Sequence, residues 1–290
     1  MKVLVTGSRG QLGSKVAELL SHEAGCETVA TDHQSLDVTR EADIRAAVQA
    51  HRPDWIVNCT AYNDVEKAED EPEKAFLLND AAVGFLAGAT AACGARLVHV
   101  STDYVFSGDF GSLARRPYRE DDAPAPLSVY GASKLAGERR LLSHEARSLI
   151  LRTSWLYGGP GKNFLHSILR VGEEAKRAGR PVRVVSDQIG TPTDAWSLAA
   201  QIHRLLREDL SGLFHASAGG ETSWFELTRQ IYRLAGLEVA VEPIRMSDYP
   251  SKARRPPYSV LENRRLEQLG LAVLPPWREG LEQAWRRIAR

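Results

Sequence analysis

The segment VLVTGSRGQLG, residues 3–13, is an apolar run that ends in Gly7, Gly10 and Gly13 and passes directly into an amphipathic stretch. A strand that must become a helix across so short a turn restricts the fold severely. Glycines in that turn let the chain double back, bring backbone N–H groups against an anion and seat the helix close to the sheet. The helix N-terminus then adds positive potential. The spacing is G-x-x-G-x-x-G rather than the stricter G-x-G-x-x-G, so the weight of the reading rests on its place after the first strand.

The runs KVLVT, ETVAT, DWIVN, RLVHVS and SLILRT alternate with helix-like stretches. Near-continuous Val, Ile and Leu, rather than apolar–polar alternation, predicts parallel strands covered on both faces. The expected fold class is therefore α/β, a Rossmann-like doubly wound parallel sheet, with a smaller C-terminal substrate-binding domain. Residues 1–157 form the expected dinucleotide-binding domain. After the GGPGK loop the alternation loosens, and residues 158–290 are expected to be mainly the substrate-binding domain, with some elements returning to the sheet. Helices are expected near 163–178, 194–207, 223–236 and 277–289.

Lys plus Arg equals Asp plus Glu at 37 each, so no global field gathers nucleic acid or an anionic membrane, and neither partner is expected. Cys26, Cys59 and Cys93 are far apart in apolar segments, which argues against disulfides or a metal cluster and fits a reducing cytoplasm. The opening apolar run is too short for a signal peptide, and no apolar stretch is expected to reach the ~20 residues that span a bilayer. A cytoplasmic, soluble protein is the expectation.

The second strand ends in Asp32, about 20 residues past the glycines, where a carboxylate can accept hydrogen bonds from ribose hydroxyls and so favour NADH. Arg9, inside the loop, suits the 2′-phosphate of NADPH instead. Both cofactors stay open. Asp37, with Val38 beside it in SLDV, is placed either to meet an adenine edge or to cap a turn.

Of eight tyrosines, only Tyr130 is followed four residues later by lysine, in VYGASKLAGE. Such a pair shares one helix face, so the phenol and the Lys134 ammonium are expected to be neighbours. A phenol has a pKa near 10, and a nearby cation favours its anion. A tuned tyrosine suits carbonyl reduction: as hydride reaches the carbon, the phenol protonates the oxygen. RLVHVSTDYVFSG is a buried strand whose carboxyl end carries Ser101, Thr102 and Asp103, the edge at which open parallel sheets bind ligands. The Thr102 hydroxyl is expected to hydrogen-bond the same substrate oxygen.

These segments, with NCTAY, RTSWLYG, DQIGTPT and YPSKARRPPYSVL, occur in the order and approximate spacing of dTDP-4-dehydrorhamnose reductases, members of the extended short-chain dehydrogenases, and the chain resembles that family over nearly its whole length. The resemblance implies reduction of the 4-keto group of a dTDP-6-deoxy-4-hexulose to dTDP-L-rhamnose, with NADPH or NADH giving the hydride. It makes Tyr130 the proton donor. Lys134 becomes the residue that orients the nicotinamide ribose and lowers the tyrosine pKa, and Thr102 shares the substrate oxygen. It places Gln11, Leu12, Asp37, Thr60, Ala61 and Tyr62 on the cofactor, Asp103 and Trp155 on the sugar, and Arg255 or its neighbour Arg254 on the nucleotide phosphates. Cys59, Thr60 and Asn63 depart from the usual pattern around the nicotinamide. Lys15 and Trp196 stand where some members hold bridging magnesium, so the resemblance allows a homodimer but argues against one joined by that metal. A nucleotide-sugar 4-epimerase and a non-catalytic cofactor-binding subunit of the same fold are the alternatives.

Overall fold

Six strands make one parallel sheet: β1 (Lys2–Thr6), β2 (Glu27–Ala30), β3 (Trp55–Asn58), β4 (Arg96–Thr102), β5 (Ser148–Thr153) and β6 (Gly212–His215). They lie in the order β6-β5-β4-β3-β1-β2, and Val3 pairs with both Thr28 and Trp55. The chain leaves β1 toward one edge and returns on its other side, so the order reverses between β1 and β3 and opens a crevice beyond their carboxyl ends. The computed structural model describes residues 1–144, 147–161 and 163–288. Position 162 of the GGPGK loop and position 289 of the last expected helix lie outside the described residues.

Pleating divides the apolar strand residues between two layers. Val3, Val5, Val57, Val98 and Leu151 pack with Leu12, Val16 and Leu20 of α1 (Gln11–Ser21) on one face. Leu4, Ile56, Leu97 and Ile150 pack with Ile44 and Val48 of α2 (Glu41–His51) and with Val83 and Leu86 on the other. Full burial of each such side chain contributes about 1.5–3 kcal/mol. That is why these runs are apolar throughout rather than alternating.

Val83 and Leu86 belong to α3, a continuous helical run over Pro72–Cys93. Contrary to the expectation from the sequence, its 22 residues are long and apolar enough to cross a membrane by length and composition. In this fold its apolar side covers the sheet, while Glu73, Lys74 and Asp80 interrupt the apolar run near its start. A wide π turn at Leu77–Ala81 pushes the backbone of Asn79 toward α4 (Val129–Leu142).

The expected later helices appear as α5 (Phe164–Arg177), α6 (Ala195–Leu205), α7 (Trp224–Ala235) and α8 (Trp277–Ile288). Leu198, Ile202 and Leu205 of α6 join the sheet core beside α1. α5, α7, α8 and the parallel pair Val182–Val185 with Val241–Ile244 enclose a separate apolar cluster around Leu165, Ile231 and Trp277.

Helix α4 is seated by two close approaches. A Cβ on Gly131 would lie 2.2 Å from the Tyr104 carbonyl oxygen, and one on Gly137 would lie 2.1 Å from that of Asn79. Backbone cannot yield at such distances without moving the helix. Gly137→Ala is therefore expected to destabilise the protein by about 1–3 kcal/mol in urea or thermal unfolding. Gly88→Ala, where a Cβ meets nothing within 4 Å, should instead be neutral or slightly stabilising. Equal effects at the two positions would refute the close-approach account.

Candidate functional site

The glycine turn builds the floor of the crevice. Gly7 has φ +68°, and a Cβ there would press on the Cys59 backbone at 3.1 Å across the β1–β3 boundary. The Gly10 N–H donates to the Gly7 carbonyl at 2.9 Å, closing the turn. Gly13 does not line the crevice. A Cβ there would lie 2.2 Å from the Gly7 oxygen, so its absence lets α1 abut the turn. Gly10 has no side chain to cap α1, and no acidic residue occupies its first turn, which leaves a positive helix end for an anion.

A cleft of about 710 Å³ runs from this turn to the ends of β3 and β4. Gly7, Arg9, Gly10, Gln11 and Leu12 line its first wall, and Asp32, Asp37 and Val38 its outer end. Thr60 and Ala61 stand at the end of β3, and Thr102, Asp103, Tyr130, Lys134 and Trp155 close the inner end. Tyr62 is not among the lining residues. Its phenol donates to Glu71 Oε2 at 2.6 Å, a bond that pushes its pKa up to about 12.

Asp32 and Arg9, which favour different cofactors, pair with each other: Arg9 Nε lies 2.6 Å from Asp32 Oδ2. Asp32 Oδ1 is occupied by the N–H groups of Gln34 and Ser35 and the Ser35 hydroxyl. Bonds from Ser35 are the chief reason its pKa is lowered. Asp37 performs the turn-capping alternative, accepting from the Thr39 hydroxyl at 2.6 Å and from its N–H at 2.9 Å.

The seat of α4 carries Tyr130 to the end of β4, where it lines the inner end of the cleft together with Thr102. The Thr102 hydroxyl in turn donates to Asp103 Oδ1 at 3.1 Å and accepts from the Tyr104 N–H. Burial raises Asp103 to about 7, and its Oδ2 is buried without a partner. Lys134 does not lower the tyrosine pKa in this state. Burial pushes Tyr130 upward, with Asp103 and Tyr104 adding to it. The lysine is instead turned into the sheet: Nζ donates to the Val100 carbonyl at 2.6 Å and lies 3.3 Å from His99 Nε2.

Behind β4, Ser101 donates to Glu138 Oε1 at 2.5 Å, and Glu138 takes two bonds from Arg152 of β5. The strand end that presents Thr102 is thus tied to both α4 and β5.

Trp155, φ +43°, is stacked on Trp224 with ring centroids 3.6 Å apart. A left-handed tryptophan is strained, and such strain persists only where packing over-determines it. The fit against Gly190, where a Cβ would lie 2.4 Å from the indole, supplies that packing. Trp224 also lines a second cavity of about 850 Å³, together with Gln188, Arg254 and Arg255. Arg255 is mostly buried, ion-paired with Glu66 at 2.5 Å, and in contact with Ser251 and the Tyr104 phenol. Arg254 is exposed. Trp224 and His99 carried no signal in the sequence. An isolated tryptophan at a helix start and a histidine inside an apolar strand carry no spacing signal. At the far side of α1, Lys15 Nζ lies 4.9 Å over the Trp196 ring.

The arrangement suits a dinucleotide. The glycine cradle would be filled by any Cβ, the helix end is open to an anion, and Gln11 Oε1, Asp103 Oδ2 and Trp155 Nε1 are buried, unpartnered polar atoms on residues lining the cleft.

Over residues 1–290 the chain matches the family model described as RmlD substrate binding domain. It is 37% identical over 297 residues to dTDP-4-dehydrorhamnose reductase of Escherichia coli, covering 98% of this chain and 96% of that one. It is also 37% identical over 284 residues to dTDP-4-keto-6-deoxy-D-glucose reductase of Streptomyces niveus, covering 97% and 96%. Among solved structures, the dTDP-4-dehydrorhamnose reductase of Bacillus anthracis in complex with NADP superposes with a TM-score of 0.91 at 38% identity, covering 99% of each chain.

Glu66 fastens the segment that carries Arg255. It accepts from Ser251 Oγ at 2.7 Å and from the Lys252 N–H at 2.8 Å. Burial opposes its ionisation, but these bonds and the Arg255 charge outweigh burial and hold it at about 2. A carboxyl lowered on folding stabilises above its unfolded pKa of 4.5 and loses that contribution as pH falls from there toward 2. Being partly exposed, it contributes no more than about 1 kcal/mol. Glu66→Gln should be cleaved faster by trypsin after Lys252 and Arg254, and its stability deficit in urea should shrink as pH falls from about 5 to 3. A deficit independent of pH would show that the Glu66 charge is not what holds the segment.

Proposed function

The chain belongs to the dTDP-4-dehydrorhamnose reductase family, and from that premise we propose that it uses NADPH or NADH to reduce the 4-keto group of dTDP-4-dehydro-L-rhamnose to dTDP-L-rhamnose. The observation that carries the reading is that Tyr130, Thr102 and Lys134 converge at the inner end of a cleft that begins at an open helix N-terminus.

The Gly7–Gly13 turn and the start of α1 hold the dinucleotide diphosphate, with Gln11 and Leu12 against it and Thr60 and Ala61 along its inner half. When bound, the nicotinamide supplies the hydride. Arg9 meets a 2′-phosphate on leaving Asp32, or Asp32 meets ribose hydroxyls on leaving Arg9, so the one ion pair stands between both choices.

Tyr130 donates its phenolic proton to the sugar O4 as charge develops there, and Thr102, turning its hydroxyl proton from Asp103, donates a second hydrogen bond to the same oxygen. Burial raises the phenol pKa, so Tyr130 enters the reaction protonated and must be helped to give up its proton. Lys134, next on that helix face, orients the ribose and supplies the cation that favours the phenolate. Asp103, with a free Oδ2, and Trp155 hold the sugar. The second cavity receives the nucleoside, with Arg255 as the phosphate donor and Trp224 between the two compartments.

Incubation with dTDP-4-keto-6-deoxy sugars and each nicotinamide, followed by absorbance and by NMR assignment of the product, tests the reading. Stoichiometric cofactor oxidation is expected; a 4-epimerase would leave the cofactor unconsumed. Tyr130→Phe should lower kcat by roughly 10²–10⁴-fold while cofactor still binds, and wild-type turnover in that variant would remove the phenol from the mechanism. Arg255→Ala should weaken substrate binding by about 1–3 kcal/mol, read as a raised KM. An unchanged KM there with a raised KM in Arg254→Ala would transfer the phosphate role to Arg254.

A further inference from the structure

The polar chain behind Lys134 has a direction that one backbone group sets. The Thr60 N–H lies 3.1 Å from the Asn58 side-chain atom facing it, and a backbone N–H can only donate. That atom is therefore the Asn58 oxygen, and the hydroxyls of Thr60 at 2.5 Å and Thr6 at 2.8 Å donate to it as well. The Asn58 amide nitrogen then faces His99 Nδ1 at 3.1 Å and must donate to it. With Nδ1 engaged as an acceptor, a neutral His99 carries its one proton on Nε2. His99 is fully buried, and burial keeps it well below the ordinary range, so the imidazolium does not form.

The Nε2–H consequently points at Lys134 Nζ, 3.3 Å away. An ammonium has three donors and no acceptor, so it opposes this N–H, whereas an amine lone pair accepts it. The other contact of Nζ, donation to the Val100 carbonyl at 2.6 Å, is made equally well by an amine. The neighbouring groups act consistently with this geometry. Burial lowers Lys134 to about 8, against the opposing influence of Glu138 on its own helix and of the Cys59 thiol at the end of β3. Glu138 is committed to Arg152 of β5 at 2.6 Å, and burial keeps the Cys59 thiol protonated, up to about 12. On the same helix, Tyr130 is protonated.

We propose that His99 is a positioning residue that favours the uncharged amine of Lys134 before the dinucleotide arrives, and that dinucleotide binding is coupled to pH-dependent proton uptake by Lys134 Nζ. The proton comes from the medium and adds to the nitrogen lone pair. The new ammonium can no longer accept from His99, so Nζ is released from the sheet side toward the cleft that Lys134 also lines. At and above about pH 8, where the free enzyme carries a large share of the amine, the cation that Tyr130 needs is thus completed in the loaded enzyme. This inference rests on the reading of the cleft as a nicotinamide dinucleotide site.

Calorimetric titration in buffers of different ionisation enthalpy measures the proton directly. NADH has no group of its own that titrates between about pH 6.5 and 9. Its binding to the wild type should take up almost no proton at about pH 6.5, roughly half a proton at about pH 8 and most of one at about pH 9. His99→Gln offers Lys134 an acceptor in place of a donor and should reduce the uptake at pH 8 to near zero, and Lys134→Met should abolish it. Binding without uptake in the wild type, or uptake unchanged in either variant, overturns the proposal while leaving the cofactor reading intact. No NADH or NADPH binding at all would sink the cofactor reading instead. Nitrogen-15 NMR of His99 in the cofactor-free wild type supplies a check that needs no variant: an unprotonated Nδ1 and protonated Nε2 are expected, and the reverse tautomer overturns the proposal.

Discussion

Helix α4 lies so near the turn after β4 that no side chain fits between them at Gly131. Nearly everything in the reactive end of the cleft follows from that approach. It carries Tyr130 to Thr102, drives Lys134 into the sheet beside Val100 and His99, and sets Glu138 under Ser101 and Arg152. The π turn in α3 completes the seat, because Asn79 reaches both the Tyr62 backbone and the Ser133 hydroxyl. These two close approaches thereby fix three side chains of α4 against partners from separate parts of the chain.

Electrostatics at that end are governed by desolvation more than by charge pairing. The same burial that raises Tyr130 and Asp103 lowers Lys134 and His99. All four are moved toward their neutral forms, as a low-dielectric pocket requires. A pocket poised in this way gains most from a ligand that brings its own hydrogen-bonding groups and charge, because each neutral group can be converted where the ligand needs it. At the outer end of the cleft the opposite holds. Arg9, Asp32 and Asp37 are near solvent, already satisfied by local partners, and can exchange those partners for a ligand at small cost.

Much of this was legible in order along the chain. Apolar runs with a period of neither two nor 3.6 announced buried parallel strands, and the first glycine turn announced where the crevice would open. Both are local consequences of residue type, so they survive without knowledge of the partner surfaces. Thr102, Tyr130 and Lys134 were identifiable for the same reason, as strand-end and helix-face positions. The apolar content of α3 was misjudged because its charges sit in the first turns, and an apolar-run reading does not see a helix that continues past them. Tyr62 was placed on the cofactor by resemblance, whereas its phenol is bonded to Glu71 and the residue does not line the cleft.

The sequence by itself determined the strand–helix alternation, the glycine turn and the residue types available for hydride and proton chemistry, because these depend on side-chain volume, backbone freedom and intrinsic acidity. Only the tertiary structure decided which partners those groups meet. It paired Arg9 with Asp32, stacked Trp155 on Trp224, tied Arg255 to Glu66 and aimed Lys134 at His99 rather than at Tyr130. The reason is that a hydrogen bond or ion pair between residues distant in the chain depends on backbone placement to within an ångström, and that placement is set by close approaches such as Gly131 and Gly137 that no local pattern encodes.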